Sequence, residues 1–184
     1  INKNPCGTLI DQDADGEVDD CTLEDQESDY DAAFDAGWGE WFEIKNVSGA
    51  AVNLNGLQLS DQGSDTFSIT LDYTLESEAF VVIGSNIDSA VNGNVPVQLS
   101  FDAGSFALGN GVDEIILSNA SGVIDQVIYD NGDTFPDDKG FSLNLNPSSL
   151  DATSNDDGTN WCNSTTLFTN GDYGTPGQNN DTCQ

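Results

Sequence analysis

Residues 11–21 read DQDADGEVDDC, an acidic run whose first carboxylates recur at every second position. Alternating carboxylates followed by a glycine are typical of calcium-binding loops, in which the glycine allows a sharp turn between the ligands. Glu17 would contribute its backbone carbonyl, and Asp19 would act through a water molecule. The candidate ligands in loop order are Asp11, Asp13, Asp15, Glu17 and Asp19. The spacing therefore predicts that calcium is a cofactor of this chain.

The last ligand of the loop is less well defined. An EF-hand loop ends in a glutamate that binds the ion through both oxygens, whereas this chain has Thr22 at that position. Glu24 or Asp25 could take the role from further along the chain. The alternative reading of the whole run is a solvated acidic linker. A second acidic ladder could complete the first site, form another, or be a solvated face: Asp25, Glu27, Asp29 and Asp31.

The calcium candidate also resembles a known repeat. The order D-x-D-x-D-G-x-x-D-x-C, which here ends at Cys21, is similar to the calcium-binding unit of thrombospondin type 3 repeats. The resemblance implies an extracellular calcium-binding loop.

Four cysteines form two clusters, Cys6 with Cys21 and Cys162 with Cys183. An even count suggests an oxidising compartment. Three connectivities are possible, and we favour pairing within each cluster, which would close two short loops. A zinc site fits less well, because the chain has no CxxC pair and no histidine.

The formal net charge of −30 comes from 33 acidic residues and only three lysines. Phosphate neutralisation requires basic residues, so we expect no direct nucleic-acid partner, and an anionic membrane surface is disfavoured for the same reason. Copies of the chain repel one another unless salt or bound cations screen them. Calcium, high ionic strength, or a neutral or basic partner therefore fits the composition better.

Catalytic motifs are missing from the sequence. Without histidine there is no His-based triad and no ordinary general base near neutral pH. Neither a G-x-S-x-G elbow nor a phosphate-binding P-loop occurs. Paired carboxylates could in principle hydrolyse glycosides, but pairs are expected by chance in so acidic a chain. We predict that the chain is not an enzyme.

The remaining sequence predicts an all-β domain. From Gly39 onward, short runs of β-branched and aromatic residues alternate with Asn, Asp, Gly and Ser, which predicts about eight strands in a sandwich or barrel. The continuous runs 79–83 and 114–117 are typical of central strands, and 123–129 reads as a longer mixed strand. Alternation predicts inward side chains in three further segments: Phe67, Ile69 and Leu71; Val97, Leu99 and Phe101; Phe141, Leu143 and Leu145.

Two regions result. Residues 1–38 form an acidic calcium-binding lead-in with one cysteine pair, and residues 39–184 form the sandwich, whose C-terminal part (146–184) we expect to be an ordered loop held by the second pair. No segment approaches the length of apolar chain that spans a membrane. The chain begins at Ile1 and contains no methionine, which suggests a processed or excised form.

The segment 39–61 resembles the start of the lamin tail domain as it occurs in secreted bacterial proteins. The resemblance extends to about Asn179 in the family's order. It rests on these residues: Trp41, Glu43, Ile44, Asn46, Val52, Asn53, Leu54, Gly56, Leu57, Leu59, Asp61, Phe80–Ile83, Leu108–Asn110, Asp113, Ile115, Leu117, Gly122–Tyr129, Gly140–Leu143, Trp161 and Gly174–Asn179. It implies an immunoglobulin-like β-sandwich that acts as a non-catalytic module, often joined to extracellular hydrolases or surface proteins.

Together these observations predict a secreted calcium-binding structural or adhesive module of the cell surface or extracellular matrix. Its partners would be calcium and another copy of itself, in an oligomer or filament, or another surface protein. One alternative is an accessory targeting domain of a larger extracellular nuclease or other hydrolase. Another is a carbohydrate-binding module that stacks sugars on Trp38, Trp41 or Trp161, although packing also explains the last two. Four glycosylation sequons occur: Asn46, Asn119, Asn163 and Asn180.

Overall fold

The computed structural model describes residues 39–169 and 171–184, and within them regular structure is almost entirely strand. The strands in chain order are β1 Trp41–Lys45, β2 Val52–Asn53, β3 Gln58–Ser60, β4 Thr66–Ser68, β5 Thr74–Leu75, β6 Phe80–Gly84, β7 Leu99–Ser100, β8 Val112–Asn119, β9 Gly122–Asp130, β10 Leu143–Leu145, β11 Trp161–Asn163, β12 Leu167–Thr169 and β13 Asp172–Tyr173. Two 3-10 turns cover Ser154–Asp156 and Gly158–Asn160. The all-β prediction is confirmed.

One main sheet has the order β1-β6-β7. β1 and β6 are antiparallel, with Trp41 opposite Gly84, whereas β6 and β7 are parallel. The continuous apolar run predicted as a central strand is β6, and Val81, Val82 and Ile83 are each 0% exposed. Both faces of β6 are therefore covered, and β1 is an edge strand of the sheet.

The other main sheet has the order β4-β3-β8-β9. Its largest part is the β8–β9 hairpin, in which Val112 pairs with Asp130 and Asn119 pairs with Gly122. A register shift between Leu117 and Ser118 marks a bulge near the turn. The predicted central strand at 114–117 lies in β8, and the predicted strand at 123–129 lies in β9, which is an edge strand.

The core lies between the two main sheets. Phe42 of β1 stacks on Phe101, with ring centroids 6.3 Å apart, and Phe101 meets Phe106 edge-to-face at 5.2 Å. The buried members of the core are Leu54, Leu59, Ile69, Leu75, Val81, Ile83, Leu99, Phe101 and Phe106. Two sheets facing one core agree with an immunoglobulin-like sandwich.

The turn after β1 is organised by Asn46, which is 7% exposed. Its Nδ2 donates to the carbonyl oxygens of Ala50 at 2.7 Å and Leu75 at 2.9 Å, and its Oδ1 accepts from the backbone N–H of Ser48 at 3.0 Å. The amide thus connects the β1–β2 turn to β5 and satisfies backbone groups that would otherwise be buried without partners.

The alternation prediction is wrong at three positions. Leu71, Phe141 and Leu143 are exposed, at 59%, 40% and 36%. Leu71 lies beyond the end of β4, where the alternation of strand side chains no longer applies. Phe141 is instead stacked on Tyr173, with centroids 4.7 Å apart.

The C-terminal part contains more strand than predicted. β10 pairs with β11 and β12 pairs with β13, so the segment after residue 146 includes three short strands. The sequence did not predict these strands, because the segment is mostly polar and each strand has only two or three residues that pair locally. This region carries the predicted disulfide, but it is not the strandless loop that the composition predicts.

Candidate functional site

The predicted calcium ligands and the first cysteine pair all lie outside the described residues. These are Asp11, Asp13, Asp15, Glu17, Asp19 and Glu24, together with Cys6 and Cys21. Their assignment therefore stays a prediction. Within residues 39–169 and 171–184, no group of three or more His, Cys, Asp or Glu side chains is arranged to hold a metal ion.

The second cysteine pair forms the predicted disulfide. Cys162 on β11 is joined to Cys183, with Cα atoms 5.7 Å apart and a sequence separation of 21 residues. Asn144 of β10 is 1% exposed, and its Nδ2 donates to the carbonyl of Asp181 at 2.9 Å, beside both sulfurs. The disulfide therefore fixes the end of the chain against β10 and β11.

Asp181 makes the densest set of hydrogen bonds in this region. Its carboxylate accepts from the Ser164 hydroxyl at 2.7 Å, from the Thr165 N–H at 2.7 Å, and from both the N–H and the hydroxyl of Thr166, at 3.0 and 2.7 Å. The side-chain hydrogen bond from Thr166, with those from Ser164 and Thr165, holds the pKa of the Asp181 carboxyl far below its usual range. We call Asn144, Ser164, Thr165, Thr166 and Asp181 the Asp181 cluster.

Several other acidic side chains of the described region stabilise turns. The Asp130 carboxylate accepts from the Thr134 and Phe135 N–H groups at 2.8 and 3.0 Å, and Asp157 accepts from the Thr159 N–H at 3.0 Å. Hydrogen bonds from these neighbours lower the pKa of both carboxyl groups. Such contacts are the usual local role of Asp in turns. These two carboxylates therefore have a structural role.

A cleft of about 1990 Å³ opens on one side of the sandwich. It is lined by β1, by β9, and by C-terminal residues that include Trp161 and Tyr173. Both β1 and β9 are edge strands of their sheets, so the cleft lies where neither sheet has a further strand in the described residues. Pockets for small molecules typically measure about 300–1,000 Å³. The cleft is thus large enough for a polypeptide segment.

A second acidic group, beside the cleft, binds the loop at residues 108 and 109. Glu40 accepts from the Leu108 N–H at 3.1 Å, Asp113 accepts from the Gly109 N–H at 2.5 Å, and the Tyr129 hydroxyl donates to the Gly109 carbonyl at 2.8 Å. Burial raises the pKa of Tyr129, and the nearby Asp113 and Glu40 carboxylates raise it further. Burial is also the main cause of the raised pKa of Glu40. These side chains hold one loop between the two sheets.

Glu43 lies on the outer face of β1, under the C-terminal segment. Its Oε2 accepts from the Gly177 N–H at 2.8 Å. Val82, which lies opposite Glu43 on β6, is covered by the same segment. Burial raises the pKa of the Glu43 carboxyl to about 7, opposed by the hydrogen bond from Gly177. Between about pH 4.5 and pH 7, the Glu43 carboxyl is therefore protonated in the folded chain and ionised in the unfolded chain.

This raised pKa predicts a pH-dependent stability. Because the pKa is higher in the folded state, the favourable contribution of protonated Glu43 is present below about pH 4.5 and is lost as the pH rises through about 7. Glu43→Gln keeps an acceptor for Gly177 and removes the charge. We expect this variant to be more stable than the wild type at pH 8, by up to about 3 kcal/mol, and equally stable near pH 4.

Urea unfolding at a series of pH values measures this difference. Glu76→Gln is the matched control, because Glu76 is exposed, and it should leave the pH dependence of the free energy of unfolding unchanged. A Glu43→Gln profile parallel to that of the wild type from pH 4 to pH 8 would contradict the prediction.

The outer face of the β8–β9 hairpin carries an apolar stripe. Val112, Val123 and Ile128 are 66%, 62% and 37% exposed. Alternation along β8 places Val112, Glu114, Ile116 and Ser118 on one face. Ile128 lies opposite Glu114, and Val123 lies opposite Ser118, so both side chains are on that same face. This stripe faces away from the cleft, whose lining contains none of these four residues. Each of these apolar residues lies opposite a polar residue of the partner strand, so the stripe is a row of separate apolar side chains on one face. Exposed apolar side chains grouped on one face can form an interaction site.

The two described tryptophans are packed. Trp161 has its ring centroid 5.7 Å from that of Phe135 and donates its indole N–H to the Asn155 carbonyl at 2.9 Å. Gly174 lies against the Trp41 ring, where a Cβ would stand 3.6 Å from it. Trp38, the remaining candidate for sugar stacking, lies outside the described residues. Among these residues, Trp41 and Trp161 thus have packing roles.

The sequons differ in accessibility. The side-chain nitrogens of Asn46, Asn163 and Asn180 donate within the domain, to Leu75, Asp138 and Leu145 respectively. Asn119 is exposed at the hairpin turn, where its Oδ1 accepts from the Ser121 N–H at 2.7 Å. The fold therefore engages the side-chain nitrogen, the atom that glycosylation would modify, in three of the four sequons.

The geometry defines an all-β sandwich domain with a disulfide-bonded C-terminal segment. The family model Lamin Tail Domain matches residues 19–131, more than half of the 184 residues. The chain belongs to the lamin tail domain family. No curated protein matches the chain. In the described residues, no helix combines the length and the hydropathy needed to cross a membrane.

Sequence reasoning missed the Asp181 cluster and the burial of Glu43. The run Ser164-Thr165-Thr166 was a usable signal, since consecutive hydroxyl residues readily surround a carboxylate. Its acceptor lies 15–17 residues away along the chain, and local spacing does not reveal such a partner. Glu43 entered the sequence analysis only through the family resemblance. Its neighbours in the sequence do not indicate that the C-terminal segment covers it.

Proposed function

We propose that this chain is a non-catalytic, secreted structural or adhesive module that associates through the outer face of its β8–β9 hairpin. The observation that supports this function is the apolar stripe of Val112, Ile116, Val123 and Ile128 on a regular two-stranded platform. A rigid hairpin presents these side chains without further ordering, which lowers the entropic cost of association. The cell surface or extracellular matrix is the expected location.

Calcium has two roles in this proposal. Bound by Asp11, Asp13, Asp15, Glu17, Asp19 and Glu24, it would order the acidic lead-in, as the resemblance to thrombospondin type 3 loops of secreted proteins implies. It would also reduce the repulsion between copies that each carry a net charge of −30. Association is therefore expected to require calcium or high ionic strength.

Substitution within the stripe tests the proposed surface. We expect Ile128→Asp and Val123→Asp to reduce self-association by at least about tenfold in dissociation constant, because each places a charge in the apolar contact. Leu71→Asp is the matched control, since Leu71 is 59% exposed and lies away from the hairpin. Light scattering in calcium over a concentration series gives the constants. Equal effects of all three variants would show that general charge, and not this face, controls association.

A further inference from the structure

The cleft beside β1 and β9 has apolar walls that are open to solvent in the described part of the chain. Phe42, Ile44, Ile115 and Leu117 pack against the core and also line the cleft. β1 and β9 each lack a second neighbouring strand among residues 39–169 and 171–184. Apolar side chains at an open sandwich edge are normally covered by another segment.

The chain itself leads into this cleft. Gly39, Glu40 and Trp41, where the described residues begin, all line it. The family match covers residues 19–131 and starts twenty residues before Gly39, so the matched region includes 19–38 as well as β1 to β9. Twenty residues in an extended conformation reach roughly 65 Å.

Residues 19–38 also contain suitable side chains. Leu23, Tyr30, Phe34 and Trp38 are the large apolar residues of this segment, and the last three recur at every fourth position. We propose that the occupant of the cleft is the chain's own segment 19–38, which inserts these apolar side chains between β1, β9 and the C-terminal residues. The domain would then begin near residue 19, and not at residue 39.

Charge sets the conditions for this docking. The cleft lining contains seven carboxylates and two lysines, Lys45 and Lys139. Segment 19–38 brings eight further carboxylates and no basic residue. Like charges at short range oppose the insertion, so the apolar contacts should hold only where salt or a bound cation screens the repulsion. Docking is therefore expected to depend on cations, which links the cleft to the acidic loop that overlaps residues 19–24. It does not depend on the association proposed for the opposite face.

Apolar-to-polar variants of the full chain test the contact. Phe34→Ser and Trp38→Ser should accelerate amide hydrogen exchange in β1 and β9 by at least about tenfold, because loss of a buried aromatic side chain destabilises the local contact. Leu9→Ser is the matched control, because it replaces an apolar residue by serine outside segment 19–38. It should leave these exchange rates unchanged. Unchanged exchange in Phe34→Ser and Trp38→Ser would overturn the proposal.

The scarcity of lysine allows a direct proximity measurement on the wild-type chain. A carbodiimide joins a lysine to a carboxylate in contact with it, and Lys45–Glu78, at 3.3 Å, provides an internal positive control. The reaction is run in calcium on an equal mixture of ¹⁴N- and ¹⁵N-labelled full chain, and linked peptides are identified by mass spectrometry. We expect links from Lys45 or Lys139 to carboxylates of residues 19–38 within single isotopic copies. Links to this segment only between ¹⁴N and ¹⁵N copies would assign the cleft to a second chain. Absence of such links, with Lys45–Glu78 formed, would also overturn the proposal.

Discussion

Replacing Asp181 with asparagine is expected to lower the free energy of unfolding by about 2–4 kcal/mol at neutral pH. The carboxylate accepts four hydrogen bonds from Ser164, Thr165 and Thr166, and bonds to a charged acceptor are stronger than those to a neutral one. Asparagine has one acceptor oxygen and presents an NH₂ group to donors. The variant therefore leaves buried Ser164 poorly paired.

The same residue predicts an acid-sensitive step. The pKa of Asp181 is lower in the folded chain than in the unfolded chain, so its contribution is fully present above about pH 4 and is lost as the pH falls below that value. Urea unfolding from pH 7 to pH 2 should show wild type and Asp181→Asn converging in acid. Asp133→Asn is the matched control, because Asp133 is an exposed residue outside the cluster. A constant difference across this range would contradict the assigned role.

Removing calcium is expected to lower the melting temperature of the full chain by roughly 5–10 °C. A ligand present at about 100 times its dissociation constant stabilises the folded state by about 2.7 kcal/mol, and about 1 kcal/mol corresponds to roughly 2–4 °C for a chain of this size. Asp13→Ala removes a central carboxylate of the predicted loop. This variant should lose most of the difference between calcium and chelator.

The control for this experiment is Asp133→Ala, which removes one negative charge from an exposed turn of the sandwich. It should retain the full calcium effect, so that any general response to net charge is separated from binding at the loop. Differential scanning calorimetry in calcium and in chelator gives both values. Identical melting temperatures of the wild-type chain in the two conditions would refute the calcium site.

Much of the sandwich could be predicted because its signals are local. The break at Asn46, the apolar run that became β6 and the longer mixed strand that became β9 each lie within a few residues, and the structure places all three as expected. The pairing of Cys162 with Cys183 followed from their proximity in sequence. The resemblance predicted the lamin tail domain family, and the family match over residues 19–131 confirms it.

The remaining features depend on contacts between distant parts of the chain. The short strands β11 to β13 have only two or three residues, and they lie in the region that the disulfide and the Asp181 cluster connect. The raised pKa of Glu43 results from burial, and the hydrogen bond that opposes it comes from Gly177, 134 residues away along the chain. Composition indicated how acidic the chain is. It did not distinguish carboxylates that stabilise turns, such as Asp130 and Asp157, from those available to a cation.

We propose that this lamin tail domain is a module that associates when cations screen its charge. Sedimentation velocity of the wild-type chain in calcium and in chelator, each over a wide concentration range, measures this association. We expect the sedimentation coefficient to rise with concentration in calcium and to stay at the monomer value in chelator at low ionic strength. A monomer at every concentration, with calcium and with high salt, would contradict the proposed function.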